Sequence, residues 1–92
     1  MRLTSYDFAC EAKKAIAAYT NENRDIEEHP IDWTDVHVVW QCKTLQHHKG
    51  IFITLLPNLK LFEATYNGDK GEMYLDAYNK ERNWVEKLPK DE

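Results

Sequence analysis

Apolar positions recur along this chain with two different periods. Phe8, Ala12, Ala15, Ile16 and Tyr19 fall on one stripe with Ala9 beside it, while Glu11, Lys13 and Lys14 fall elsewhere. Apolar residues three and four apart predict an amphipathic helix, here from about Ser5 to Thr20. Thr4 and Asp7 match a capping box, with Asp in place of the usual Glu. The alanines predict that this helix lies close against a sheet. From Val36 to Leu45 the period changes to two. Val38, Trp40 and Cys42 share one face, and His37, Val39, Gln41 and Lys43 the other, so this segment reads as a strand. Ile51 to Leu56, Leu59 to Tyr66 and Glu72 to Leu75 read as three more.

The turns set the register of these strands. A four-residue loop at His47–Gly50 pairs Cys42 with Leu55, and a tight turn at Pro57-Asn58 pairs Ile53 with Phe62. A turn on Asn67-Gly68 would set Glu63 against Glu72, two like charges, so Gly68-Asp69 is the better turn. It pairs Ala64 with Met73 and Phe62 with Leu75. Asp76 is then a candidate N-cap. Tyr78, Val85 and Leu88 recur at helical spacing and predict a closing helix of about three turns. One sheet face would collect Val38, Trp40, Cys42, Ile51, Ile53, Leu55, Phe62, Ala64, Tyr66, Met73 and Leu75. The expected fold is α+β, an N-terminal helix, a three- to four-stranded antiparallel meander and a C-terminal helix, in a single domain over residues 1–92.

The opposite face is less polar than a solvated one should be. Val39, Leu45, Phe52, Leu56, Leu59 and Leu61 lie there beside Gln41, Lys43, Thr54 and Glu63. Either a helix covers this patch or a partner does. Trp33 and Trp84 adjoin polar segments and join it as candidate interface residues, since Trp is enriched at interfaces. Residues 21–35 break both periods. This stretch is a long acidic connection that Ile26, Ile31 and Trp33 would pin to the body, with a short helical turn at Ile31-Asp32-Trp33. Its run of Glu22, Asp25, Glu27, Glu28, Asp32 and Asp35 is either a solvated loop or a surface for a basic partner.

Charge and chemistry narrow the function. A net charge of −4 argues against sequence-independent nucleic-acid binding, which rests on a basic surface. No apolar run is long enough for a membrane span, and the first residues carry no apolar core of a signal peptide. Cys10 and Cys42 are too few for a disulfide framework and read as reduced thiols, which fits a cytoplasmic protein. His29, His37, His47 and His48 lack any metal-ligand spacing. With Cys42 facing inward and His37 outward, no Cys–His nucleophile pair forms. Asn67-Gly68-Asp69-Lys70-Gly71 joins two strands, whereas a phosphate cradle joins a strand to a helix. No catalytic residue, cofactor, metal or small-molecule substrate is indicated, and the chain reads as a non-enzyme.

The blocks Trp40–Gln46 (WQCKTLQ) and Thr65–Tyr78 (TYNGDKGEMYLDAY) resemble a family of small uncharacterised proteins of phages and prophages of Gram-positive bacteria. Its shared features are a CKTLQ strand, a YNGDK turn and a YLDAY helix start. The resemblance implies a phage-encoded accessory protein acting in a bacterial cytoplasm, and carries no activity or site residue with it. The expected function is therefore protein–protein interaction with a host or phage partner, through the apolar sheet face or the acidic loop, with a homodimer through that face as one form. The alternative is a nucleic-acid-associated module, because helix–strands–helix is also the order of double-stranded-RNA-binding domains. Lys43, His47, His48, Lys49 and Lys60 would form its basic rim.

Overall fold

Thr4 starts the first element. Its hydroxyl accepts from the Asp7 N–H at 3.0 Å, and the Asp7 carboxylate accepts from the Thr4 N–H at 3.1 Å. This closed capping box satisfies two of the donors that every helix start leaves unpaired. In the computed structural model, which describes residues 3–25, 27–55, 59–78 and 82–89, helix α1 runs Ser5–Glu22, two residues beyond the expected end. Asn23 stops it, its backbone N–H donating to the carbonyls of Tyr19 and Thr20.

The acidic connection is tied down locally. Asn21 brackets Ile31 with two hydrogen bonds, one to its carbonyl (2.9 Å) and one from its N–H (2.7 Å). Ile31 is buried as expected, whereas Ile26 lies outside the described residues. The short helical turn is a 3-10 turn at Trp33–Asp35, two residues later than anticipated.

Five strands follow: β1 Val36–Thr44, β2 His47–Thr54, β3 Lys60–Asn67, β4 Glu72–Ala77 and β5 Arg82–Lys87. They form one antiparallel meander in sequence order. Among the described residues there is no C-terminal helix; residues 82–87 of that segment form β5. Trp84, Glu86 and Leu88 alternate along one side of that segment, and the wider spacing of Tyr78, Val85 and Leu88 mimicked a helical period. What decides the matter is tertiary: the free edge of β4 needs a partner, and a strand there stacks Trp84 on Tyr19 of α1 at 4.6 Å between ring centroids. Asp76 is accordingly a strand residue opposite Glu63, not an N-cap.

Helix α1 covers one face of the sheet. Phe8, Ala9, Ala12, Ile16 and Ala17 meet Phe52, Phe62, Ala64, Tyr66, Met73, Leu75 and Ala77. Phe8 meets Phe52 edge-on at 6.1 Å, and Tyr19 meets Phe62 likewise at 6.0 Å. Each of these large side chains contributes about 1.5–3 kcal/mol by leaving water.

The expected core face holds for β3 and β4 but fails for β2 and for most of β1, where Val38 lies opposite Phe52 on the helix side yet is exposed. The first hairpin turns at Leu45-Gln46, not at His47–Gly50, and pairs Thr44 with His47. Phe52, not Ile53, pairs with Phe62. A one-residue slip sends every side chain of a strand to the other face. Hence Phe52 is fully buried, while Ile51, Ile53 and Leu55 face away from the helix. In β1 the register shifts between Val38 and Trp40. Such a bulge reverses the alternation beyond it, so Gln41 reaches the Ser5 carbonyl of α1 and Trp40 and Cys42 turn outward. The β3–β4 pairing moved by two residues, Ala64 opposite Leu75, which leaves the faces unchanged.

Candidate functional site

Among the described residues no helix covers the second face of the sheet. Strand alternation places there Trp40 and Cys42 from β1, Lys49, Ile51 and Ile53 from β2, and Leu61, Glu63 and Thr65 from β3. Glu72, Tyr74 and Asp76 from β4 and Val85 and Lys87 from β5 complete it. Trp40 is 50% exposed and Leu59 71%, and Leu55, Leu61, Tyr78 and Val85 are open as well. Ile53, Leu59, Leu61 and Tyr78, with Lys60, line a shallow apolar depression at one end of this open face.

Charged groups on the same face pair with one another. Lys49 lies 3.2 Å from Glu63. Glu72 receives both the Lys87 ammonium and the Tyr74 hydroxyl. Those two hydrogen bonds, Lys87 first, hold the Glu72 carboxyl below the usual carboxylate range. The bond to Glu72 in turn pushes the Tyr74 hydroxyl up. With these pairs made, the face presents apolar area and little uncompensated charge.

The eight residues expected at an interface are dispersed. Leu59 and Leu61 lie on the open face, Val39 marks the bulge on the outer edge, and Leu45 stands 74% exposed in the β1–β2 turn. Phe52 is core, not interface. Trp84 faces the helix side, stacked on Tyr19, with its indole N–H donating to Glu86. Trp33 packs partly against the core, with the Lys13 ammonium 5.9 Å from its ring. Leu56 lies outside the described residues. Trp40, Ile51, Ile53, Tyr74 and Val85 were not anticipated there. Gly50 held the signal for β2: a Cβ at that position would meet the Phe52 ring at 2.9 Å, so the glycine belongs to the crowded face.

Leu45 has φ 56°, in the left-handed region that costs a side-chain-bearing residue about 1 kcal/mol. The turn that holds it packs on the β3–β4 turn. A Cβ on Gly68 would lie 2.3 Å from the Gln46 carbonyl, which only glycine allows. His47 spans the two turns: its Nδ1 accepts from the Gly68 N–H at 3.1 Å, and its Nε2 lies 3.8 Å from Asp69. Both ring nitrogens are thereby engaged. His48, expected in a solvated turn, is buried, stacked on Phe8 at 5.1 Å with Nε2 3.2 Å from the Leu3 carbonyl. The basic rim is thus broken at His48.

Cys10 and Cys42 are free thiols, and Cys42 is exposed on the open face instead of inward. Among the described residues no group of three His, Cys, Asp or Glu could hold a metal ion. Part of the acidic run serves the loop itself: Glu28 accepts from the Asp25 N–H, and Asp35 from the Asp32 N–H. Among the described residues no helix is long and apolar enough to cross a membrane. The helix–strands–helix order behind the likeness to double-stranded-RNA-binding domains is not the order found. No curated protein and no solved structure matches the chain significantly. A family model does match residues 9–88, nearly the whole chain, and the protein belongs to that family, DUF6275, a family of unknown function.

Proposed function

We propose that this is a non-catalytic interaction protein whose docking surface is the open sheet face, and that the first occupant of that face is a second copy of the chain. The observation that carries the reading is the apolar row of Trp40, Ile53, Leu61 and Val85 from four strands, with Leu59 and Tyr78 at strand ends, that none of the described residues covers. Apolar area of this extent on a small protein ordinarily meets a partner. The pairing of Lys49 with Glu63 and of Lys87 with Glu72 supports a neutral occupant over a charged one. A second copy meets that condition, and two such faces can pack as aligned sheets about 10 Å apart. Five strands about 4.8 Å apart and about 20 Å long offer about 500 Å² in projection before side-chain relief, near the low end of stable interfaces. We place the association in the micromolar range, the weak end for interfaces of this size. A phage-type accessory role in a bacterial cytoplasm belongs to the same proposal and rests on the CKTLQ, YNGDK and YLDAY blocks.

The test is a pair of variants read by sedimentation and circular dichroism. Leu59→Asp with Leu61→Asp is expected to keep the native spectrum and to abolish association. Association unchanged in that variant would refute the open face as the docking surface.

A further inference from the structure

A small, partly enclosed cavity lies where the end of α1 meets the Thr54–Lys60 pair, the last pair of β2 and β3 before their connection. Tyr19, Thr20, Asn23, Arg24, Glu28, Thr54 and Lys60 surround it. Arg24 Nε and Thr20 Oγ1 are both buried there, and neither has a hydrogen-bond partner. Thr20 is only 9% exposed. Buried donors without an acceptor are rare in native proteins, and two that line one cavity point to an acceptor that binds from outside. Two accepting groups nearby already take other donors. The Tyr19 carbonyl takes both N–H groups of Asn23, backbone and side chain, and Glu28 Oε1 takes the Asp25 N–H. The same Asn23 contacts quench part of the negative end of the helix, which would otherwise repel an anion. Arg24 supplies the cavity with a guanidinium.

We infer that this cavity is a binding site for a small oxyanion, a carboxylate or phosphate group, held by Arg24 Nε–H and the Thr20 hydroxyl. An arginine donor to an ionised oxygen is among the stronger hydrogen bonds a protein makes. The site shares Lys60 with the depression on the open face, but its two donors, Arg24 and Thr20, do not line that depression, so the proposal does not depend on the open face.

The experiment is an amide NMR titration of the full chain with inorganic phosphate, with acetate in parallel and sodium chloride at matched ionic strength as control. Saturable shifts confined to residues 19–24, 54 and 60 are expected with one of the two anions and not with chloride. The stronger anion identifies the source as phosphate or carboxylate. Arg24→Gln should weaken binding roughly tenfold, as loss of one charge-assisted hydrogen bond implies. Arg24→Lys keeps the charge and removes the Nε donor, so it should weaken binding while leaving the fold intact. Shifts equal to those with chloride, or binding unchanged in both Arg24 variants, would mean that the cavity holds only water and would overturn the proposal.

Discussion

Leu45 shows how much one residue can report. Turn chemistry favours Gly, Asn or Asp at a left-handed position, and a fully exposed leucine there serves neither the turn nor the core. Leu45→Asn should raise Tm by several degrees, the effect of removing about 1 kcal/mol of backbone strain from a domain of this size. A thermal melt checks it, and an unchanged or lower Tm would show that the turn is not strained. Phe52 and Leu61, both read from the sequence as surface, separate sharply. Phe52 is wholly buried under Phe8, and Phe52→Ala should cost about 3–5 kcal/mol in denaturant unfolding. Leu61→Asp should cost under about 1 kcal/mol, as surface changes do. The sequence misled here because Ile51, Ile53 and Leu55 outnumber Phe52 as apolar residues, and only crowding at Gly50 reveals which face is inside.

Among the elements, α1 was the most legible, since a capping box and a long apolar stripe agree with one another. The strands β3 and β4 were legible by face though not by partner. The bulge in β1 and the identity of β5 were not, for a physical reason. A bulge leaves no local pattern, and a short segment such as Asn83 to Leu88 satisfies both periods until a neighbouring edge selects one. Two contacts fasten the end of β5 to the body: the Leu88 N–H donates to the Gly71 carbonyl, and the buried Tyr66 hydroxyl to the Pro89 carbonyl at 2.7 Å. Tyr66→Phe should therefore cost about 1–2 kcal/mol and speed hydrogen exchange in residues 84–88. Exchange that stays slow there would show that β5 is held by its ladder alone. The Glu72–Lys87 pair joins β4 to β5 and sets a pH dependence. Glu72 has its folded pKa lowered from 4.5, so its contribution is present above that value and is lost as pH falls through the lowered one. Lys87→Met should flatten the acid limb of a stability–pH curve measured by denaturant melts. An acid limb identical to that of the unsubstituted protein would remove the pair from the account.

At the scale of the molecule, α1 serves one face of a five-stranded sheet, and none of the described residues covers the other. The expectation of two helices came from reading residues 75–88 as helical, and with it went the idea that either face might be covered. What remains of the sequence reading is the apolar character of an outer face, with a different membership: Trp40, Ile53, Tyr78 and Val85 join Leu59 and Leu61, and Phe52 leaves. A face that is apolar, internally charge-paired and, among the described residues, not covered by chain is the central claim. The most direct measurement is molar mass in solution, by light scattering across a concentration series. The account predicts a mass that rises from monomer to dimer at micromolar concentration, and that stays monomeric for the Leu59→Asp, Leu61→Asp variant. A mass that remains that of a monomer up to the highest soluble concentration would contradict it.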